Sequence, residues 1–438
     1  MPELTADQIS AITQAVFDGF DDQLAFTQTL IRFGGQRGSE HAIQEFIFQQ
    51  YLERGYNPVK FDIDPEEISR HVGGGKISAT HSKAPIVVGV HTPKVQAKDG
   101  KSLILNGHVD IVPLGPRELW TDDPYSARIE GDKLYGRGAG DMRAGVGIYF
   151  KALDALRRIG MQPASKIVLE SVVEEESTGN GTLMAHIKGY RADAALIPEP
   201  VNEELVRANV GVLWFQIEVK GKPVHVREMA AGTNAIDACW KVIQGLRELE
   251  KEWNAKGIGN DLQVNDILSH KELEHPLNLN IAMINGGDWA SSVPAWCRVD
   301  CRIAIFPGVS AKSAAEEIEQ KVSEITKSDS FLSKQPPKVI WNGFYAEGYV
   351  LNPGSRAEEV LRKAHNAATG RDLKPAFSGA YLDARVYSIY DKIPALTYGP
   401  VAGNVHGFDE WVSIESIKNV TVAVALFIAE WCGLEMVS

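Results

Sequence analysis

The stretch Ile167-Val-Leu-Glu-Ser-Val-Val-Glu-Glu-Glu-Ser-Thr-Gly179 decides the fold, because it joins a strand to three consecutive carboxylates. Its first seven residues are rich in β-branched side chains and predict a strand, and the serine and glycine after the glutamates predict a loop. Adjacent carboxylates repel one another, so Glu174, Glu175 and Glu176 alone are most simply a solvated acidic turn. Nearby positive charge from elsewhere in the chain would reverse that interpretation.

The composition narrows the class of protein. The chain has 438 residues, 44% of them hydrophobic and 23% charged, which is typical of a globular enzyme or binding protein with room for two domains. A formal net charge of −12 disfavours nucleic acid and anionic membranes as partners, since both require a basic face. No apolar run approaches the roughly 18 residues of a membrane span, and the acidic start does not look like a signal peptide. Four cysteines are too few for a disulfide framework and indicate reduced thiols in a cytoplasmic protein.

Strands and helices alternate along most of the chain, which predicts an α/β sheet. The predicted strands are 59–61, 85–90, 102–107, 167–173, 193–197 and 394–398. The predicted helices are 6–33, 39–54, 146–160, 355–369 and 414–432.

A different order of elements begins near residue 209 and predicts a second domain. Strand, helix, strand, strand, helix and strand follow one another, which is the order of a ferredoxin-like βαββαβ unit. These elements are predicted at 212–220, 233–256, 278–285, 296–305, 311–327 and 338–341. We therefore predict that residues 209–341 form a domain inserted between residues 1–208 and 342–438, which together form the other domain.

Side chains of the types that bind metals follow one predicted strand after another. They are His108, Asp110, Asp141, Glu175, Glu176, Glu199 and His406. Each lies just beyond the carboxyl end of a strand or at the head of the next helix, and open α/β sheets bind ligands at this edge. Two histidines and three carboxylates suit a pair of Zn²⁺ ions bridged by one carboxylate, with a further glutamate as general base. Such ions would also allow adjacent carboxylates to stay ionised.

Each of these residues also has an ordinary structural explanation. A lone His108-x-Asp110 is more often a surface pair or a satisfied core histidine, Asp141 is a good helix N-cap, and Pro198-Glu-Pro200 is usually a turn. The glycine run Gly136–Gly145 could suggest a phosphate cradle, but it lacks Gly-Lys-Ser/Thr and the Gly-x-Gly-x-x-Gly turn. The sharing of one sheet edge by five separate segments favours the metal site.

These segments resemble the co-catalytic zinc hydrolases that include aminoacylase, acetylornithine deacetylase, succinyl-diaminopimelate desuccinylase and carboxypeptidase G. The matching stretches are Asn106-Gly-His-Val-Asp-Ile-Val-Pro113, Gly136-Arg-Gly-Ala-Gly-Asp-Met-Arg143, Glu174-Glu-Glu-Ser-Thr-Gly179, Pro198-Glu-Pro200 and Asn404-Val-His406. Their order and separations are similar to the family's over nearly the whole chain. The implied fold is a mixed-sheet zinc-peptidase catalytic domain with an inserted ferredoxin-like dimerisation or lid domain.

The resemblance implies a role for each residue at the sheet edge. It implies that His108 and Glu199 bind one zinc ion, that Glu176 and His406 bind the other, and that Asp141 bridges the two. It also implies that Glu175 is the general base and that Asp110 orients His108. We interpret Glu174 as structural. The resemblance implies two Zn²⁺ ions, with Co²⁺ or Mn²⁺ as alternatives.

The resemblance also implies catalytic and substrate-binding residues beyond the sheet edge. His225 would reach the active site of the partner subunit and stabilise the oxyanion there, and Arg302 would hold a substrate carboxylate. Ser292 stands where the family usually has an asparagine. Gly379 lies where the family lines its substrate pocket, although the usual Gly-Thr-Asp is changed here to Gly379-Ala-Tyr-Leu-Asp383.

The expected function is hydrolysis of the amide of an N-acyl amino acid at a dizinc site. A dipeptidase or carboxypeptidase of the same family is the alternative, and a non-catalytic homologue that uses the fold for binding is a further one. The expected partners are a small amide substrate and a second copy of the chain, with neither nucleic acid nor membrane.

Overall fold

The structure, a computed structural model, describes residues 3–256 and 275–437 and is centred on a six-stranded mixed sheet. In spatial order its strands are Val59–Phe61, Ile86–His91, Ile167–Val172, Leu103–His108, Ala194–Ile197 and Ala395–Thr397. The last four run parallel to one another, and the first two are antiparallel additions at one edge. This arrangement confirms the predicted α/β fold with a mixed sheet.

The central strands are buried because helices cover the sheet. Every residue of Leu103–His108 and Ile167–Val172 is buried, as expected for parallel strands that read as continuous apolar runs. The helices of this part of the chain are Ala6–Asp18, Phe20–Arg32, His41–Glu53, Pro65–Arg70, Ala144–Arg158, Asn180–Ile187, Arg356–Thr369, Ala384–Val386 and Ile414–Cys432. No helix in the described ranges is both long and apolar enough to cross a bilayer.

Side-chain caps explain where several helices begin. The hydroxyl of Ser413 accepts the main-chain N–H of Ser416 at the start of Ile414–Cys432, and Ser355 does the same for Glu358. Each cap satisfies an N–H group that the first helical turn leaves free.

The single helix predicted over 6–33 is wrong in one respect, because it is two helices that meet at Gly19. A Cβ atom at Gly19 would lie 1.9 Å from Nη1 of Arg158, so the junction is in tight contact with a distant side chain. A glycine within a helical pattern does not by itself distinguish a break from a continuous helix.

The inserted region has its own antiparallel sheet and its own core. In spatial order the strands are Leu279–Gly286, Trp296–Ile305, Gly211–Lys220 and Lys338–Ala346. Helices Ala235–Lys256 and Ala311–Ser328 cover one face, and a hydrophobic core distinct from that of the central sheet lies between them and the sheet. The predicted succession of strands and helices is confirmed.

The division into two domains remains a prediction, and its second boundary needs correction. The strand predicted over 338–341 continues to Ala346, since it pairs with Gly211–Lys220 as far as Val212. A boundary at residue 341 would cut this strand, so we propose that the insert extends to residue 346.

Small sheets and single turns complete the described chain. Leu205–Asn209 leads into the insert and Tyr349–Val350 leads out of it, and the two pair with each other. The remaining strands are Pro375–Ser378, which joins that pair, then Ile129–Glu130, Lys133–Tyr135, Ala402–Gly403 and Trp411–Ser413 in one sheet, and Met161–Pro163 with Leu434–Met436 in another. Short 3-10 or π turns lie at Arg117–Leu119, Ala139–Arg143, Val226–Ala231 and Tyr387–Asp391.

Candidate metal centre

His108 ends the central strand Leu103–His108 and is buried at the carboxyl edge of the parallel strands. Its Nδ1 lies 3.0 Å from the main-chain oxygen of Asp110 and 3.6 Å from the carboxylate of that residue. A carbonyl oxygen only accepts hydrogen bonds, so Nδ1 donates to it, and with a metal ion bound the ring would present the lone pair of Nε2 to that ion. The main chain of Asp110 therefore lies nearer to His108 than its carboxylate does.

The carboxylate of Asp110 instead anchors the glutamate stretch. It accepts the main-chain N–H groups of Glu175 at 3.3 Å and of Glu176 at 3.0 Å. Burial raises the pKa of Asp110 to about 7, and His108 opposes this shift. Asp110 thus connects His108 to the two glutamates that follow the neighbouring strand.

Asp141 lies between the two histidines. Its Oδ1 is 2.9 Å from Nε2 of His108, and its Oδ2 is 3.4 Å from Nε2 of His406. Burial opposes ionisation of Asp141, but hydrogen bonds from both histidines lower its pKa. One carboxylate therefore presents an oxygen to each histidine, which is the arrangement of a bridging ligand.

The loop that carries Asp141 is held by a carboxylate that sequence reasoning missed. Glu410 is buried and accepts the main-chain N–H groups of Gly138 at 3.1 Å, Gly140 at 3.0 Å and Asp141 at 3.1 Å. It also pairs with Arg137 at 2.7 Å. Its position four residues after His406 was the available signal.

Glycine brings this loop close to the one that carries Glu199. A Cβ atom at Gly145 would lie 2.2 Å from the main-chain oxygen of Pro198. The helix after Asp141 and the turn before Glu199 can therefore approach one another only because residue 145 has no side chain.

Two groups of potential ligands share Asp141. The inner triad is His108, Asp141 and Glu199, and the outer triad is Asp141, Glu176 and His406. Within each triad the ligand atoms lie within 4.8 Å of one another. Oε1 of Glu199 is 3.7 Å from Nε2 of His108, and both carboxylate oxygens of Glu176 are 3.1 Å from Nε2 of His406.

The residues present fit two metal ions. Imidazole nitrogen and carboxylate oxygen are suitable donors for zinc and similar cations. Oε1 of Glu199 is buried without a hydrogen-bond partner in the described structure, and a bound cation would satisfy it. The structure thus brings together all five residues that the sequence predicted as metal ligands.

The electrostatics of the centre favour bound positive charge. Attraction by Glu176 raises the pKa of His406 to about 11, although burial opposes the shift. Burial lowers the pKa of His108, but Glu199, Asp141 and Glu175 together raise it well above the usual range. An excess of carboxylates causes both shifts, and a pair of divalent cations would relieve it.

Glu175 lies beside the inner triad without belonging to either triad. It is buried, and its Oε2 is 4.0 Å from Nε2 of His108. Burial raises the pKa of this carboxyl group well above its usual range, while His108 opposes the shift. A carboxyl group outside the ligand set is available to accept and release a proton.

Glu174 has a different environment from the two residues that follow it. Its oxygens accept hydrogen bonds from Arg37 at 2.6 and 2.7 Å and from the main-chain N–H of Ser82 at 2.7 Å. Its φ of +69° lies in the left-handed region, which residues other than glycine rarely adopt. Glu174 thus contacts the segments around the centre rather than the centre itself.

A cavity of about 1000 Å³ separates the centre from the open face of the insert sheet. The centre contributes Asp141, Glu175, Glu176, Glu199 and His406, and the insert contributes Trp214, Gln216, Asn280, Asp300, Arg302, Asn342 and Phe344. Arg302 also donates from Nη2 to the main-chain oxygen of Gly379 at 2.9 Å, between the lining residues Ser378 and Ala380. Arg302 and Gly379, both predicted to bind substrate, are therefore neighbours, and Arg302 lines the cavity.

His225 and Ser292 lie together but apart from this cavity. They form an antiparallel β-bridge with each other, and among the described residues neither lines the cavity. Nδ1 of His225 accepts the main-chain N–H of Arg227 at 3.1 Å, and the residue is exposed. The predicted role of His225 concerns a partner subunit and stays a prediction, as does that of Ser292.

Asp383 is a second buried carboxylate whose role near the cavity was not predicted from the sequence. It accepts hydrogen bonds from the hydroxyl groups of Thr182 at 2.6 Å and Tyr381 at 2.9 Å. Since Tyr381 lines the cavity, Asp383 fixes one of its walls.

Comparison with known proteins gives a family and several relatives. The family described as Peptidase family M20/M25/M40 matches residues 104–430. The N-formyl-4-amino-5-aminomethyl-2-methylpyrimidine deformylase of Halalkalibacterium halodurans is 27% identical over 355 residues, which cover 76% of this chain and 80% of the relative. The protein of the same name from Bacillus subtilis is 26% identical over 453 aligned residues, covering 97% and 98%. The dipeptidase Dug1p of Saccharomyces cerevisiae has a similar fold, with a TM-score of 0.77, 15% identity and coverage of 98% and 99%.

Proposed function

Since this chain belongs to the peptidase family M20/M25/M40, a family of amide-bond hydrolases, we propose that it cleaves the amide of a small N-acyl substrate at a dizinc centre. The observation that carries this proposal is the pair of triads that share Asp141, with the carboxyl group of Glu175 beside them. An N-acyl amino acid is the substrate class that we propose first, because a guanidinium group suited to its carboxylate lies across the cavity.

The metal ligands follow from the two triads. His108 and Glu199 would hold one ion, Glu176 and His406 the other, and Asp141 would contact both. We propose zinc because imidazole and carboxylate donors suit it, with cobalt or manganese as alternatives. When bound, the ions would polarise the scissile carbonyl and lower the pKa of the attacking water.

Glu175 is the proposed general base. It would take a proton from the water whose oxygen attacks the amide carbon, and it would give that proton to the leaving nitrogen as the C–N bond breaks. The products are a carboxylic acid and an amine. Asp110 supports this role, because it holds the main-chain N–H of Glu175 at 3.3 Å and lies within hydrogen-bonding distance of His108.

Arg302 is the proposed partner of the substrate carboxylate. One of its N–H groups is engaged by the carbonyl of Gly379, which fixes the guanidinium on the cavity wall. A guanidinium group has five N–H donors in total, so others remain for a substrate.

A second candidate is deformylation of an aminomethylpyrimidine amide, for which the two relatives are named. The cavity favours a flat group, since its wall carries a cluster of aromatic rings. Phe344 lies edge-to-face with Trp214 and tilted against Tyr381, with ring centroids 5.1 and 4.5 Å away. A dipeptidase of the same family remains the third candidate.

The test is turnover by the zinc-loaded protein. We expect hydrolysis of at least one substrate among acetyl, succinyl and formyl amino acids, an N-formyl aminomethylpyrimidine and dipeptides. We expect Glu175→Gln to lower kcat by roughly 10²- to 10⁴-fold with two ions still bound per chain. Turnover of peptides alone would exclude the deacylase, and full activity of Glu175→Gln would exclude the proposed mechanism.

We also propose a cytoplasmic homodimer. A dimer is supported by the insert, which exposes the apolar side chains of Trp240, Met283 and Trp289. A cytoplasmic location is supported by the four cysteines, which are all buried free thiols. If His225 completes the partner's site, mixing inactive His225→Ala protomers with inactive Glu175→Gln protomers will restore activity. A fully active monomer in light scattering contradicts the shared site.

A further inference from the structure

The open face of the insert sheet carries an acidic and a basic side chain opposite the metal centre. Asp300 and Arg302 lie on one strand, and across the neighbouring strand they pair with Gln216 and Trp214. Alternate residues of a strand project to one face, roughly 7 Å apart, so Asp300 and Arg302 point into the same space. All four residues line the cavity that contains the centre.

Asp300 has only neutral hydrogen-bond partners in the described part of the chain. Nε2 of Gln216 donates to its Oδ1 at 3.0 Å, and Nδ2 of Asn342 donates to the same oxygen at 3.2 Å. Two amides thus fix the carboxylate without neutralising it, and no residue within 3–256 or 275–437 donates to Oδ2. A half-buried carboxylate of this kind favours a cationic N–H donor.

The surroundings of Asp300 suit a cation on a ligand better than a cation of the protein. Arg298 and Arg302 each lie two residues from Asp300 on this strand face, but in the described structure both are engaged elsewhere. Arg302 donates to the carbonyl of Gly379, and Arg298 pairs with Glu218 at 3.0 Å. Trp214 packs edge-to-face against Phe344, and its indole nitrogen is buried without a partner in the described structure. Aromatic faces beside a carboxylate stabilise a cationic or flat nitrogen group.

We propose that Asp300 determines substrate specificity by pairing with a cationic nitrogen group that lies away from the scissile amide. This inference rests on the proposed amide hydrolysis. Two kinds of substrate carry such a group. In an N-acyl diamino acid the side-chain ammonium would meet Asp300 while the carboxylate meets Arg302. In an aminopyrimidine amide the protonated ring nitrogen would donate to Oδ2 of Asp300, the oxygen that the two amides leave free.

The variant Asp300→Asn tests the charge without removing the hydrogen-bond framework, since its amide oxygen can still accept from Gln216 and Asn342. The matched control is Glu218→Gln, because Glu218 lies on the same sheet face, pairs with Arg298 at 3.0 Å and is outside the cavity lining. Ligands are Nα-acetylornithine, its neutral analogue Nα-acetylnorvaline and an N-formyl aminomethylpyrimidine. Turnover is measured in the wild-type background, and dissociation constants are measured by calorimetry in the Glu175→Gln background.

Asp300→Asn should raise KM and the dissociation constant of one cationic ligand by roughly 10- to 100-fold, because the loss of one charge-assisted hydrogen bond weakens binding by about this factor. In the same variant, KM and the dissociation constant of the neutral analogue should change by less than about 3-fold. The control Glu218→Gln should leave KM and the dissociation constants of all three ligands unchanged. The cationic ligand that is affected identifies the substrate class. Equal effects on cationic and neutral ligands, or no preference of the wild-type protein for either cation, overturn the inference. Charge-selective binding without any turnover overturns the proposed hydrolysis and leaves the role of Asp300 in binding intact.

Discussion

The inner and outer triads share Asp141 but differ in how firmly the protein holds them. In the inner triad the side chains of His108 and Glu199 are only 1% and 4% exposed, and the Asp110 carbonyl holds the His108 ring. In the outer triad the side chain of His406 is 53% exposed. His406 also lies on a loop at φ +63°. Ligands that are pre-oriented and buried lose less freedom when they bind an ion, so the inner position should bind metal more tightly.

The largest expected effect comes from the residue that the triads share. Asp141→Ala removes a ligand from both proposed ions, so we expect it to lower metal content from two ions to fewer than one per chain and to abolish activity. Elemental analysis after gel filtration measures the metal content, and turnover at excess zinc measures the activity. Two retained ions would contradict the bridging role of Asp141.

The second prediction compares the two histidines directly. His108→Ala should lose the inner ion and also weaken the outer one, because Asp110 holds the main-chain N–H of Glu176, so it should keep fewer than one ion per chain. His406→Ala should lose only the outer ion and keep about one ion per chain. Dialysis of the wild-type protein against a weak chelator should likewise remove one ion before the other. Both variants should be folded like the wild-type protein, which circular dichroism checks. Equal metal loss from both would show that burial does not distinguish the triads.

The ligand set could be predicted from the sequence because each member has a metal-binding side chain and follows an apolar strand or, for Asp141, precedes an apolar helix. Glu410 could not be predicted in the same way. Its carboxylate contacts main-chain N–H groups, and Asp141 is 269 residues away, so the loop carries no residue-type signal of the contact. The break at Gly19 and the extension of the last insert strand to Ala346 also depend on contacts with distant segments, Arg158 and Gly211–Lys220.

The third prediction concerns this unpredicted carboxylate, which acts on both triads through Asp141. Glu410→Gln keeps the shape of the side chain but replaces one acceptor oxygen by a donor that faces main-chain N–H groups. We expect a loss of roughly 10- to 100-fold in activity or metal affinity, which is typical of residues that orient ligands. The loss should be partly recovered at high zinc concentration. A change in unfolding free energy alone, with unchanged metal affinity, would assign Glu410 a purely structural role.

The smallest effect on chemistry should come from Glu174, which belongs to neither triad although it adjoins Glu175. Its carboxylate pairs with Arg37, whose side chain is 20% exposed, while Glu174 itself is fully buried. Glu174→Gln would leave the guanidinium without its charged partner and should lower the unfolding free energy by about 3 kcal/mol, as for other broken buried pairs. The kcat and metal content of the folded fraction should stay within a few-fold of wild type, because the carboxylate of Glu174 accepts from Arg37 and Ser82 and belongs to neither ligand triad. Urea unfolding and turnover, measured on the same preparation, separate the two quantities. A variant that keeps wild-type stability but loses activity would show that Glu174 takes part in catalysis, and the contrast among the three consecutive glutamates would then fail.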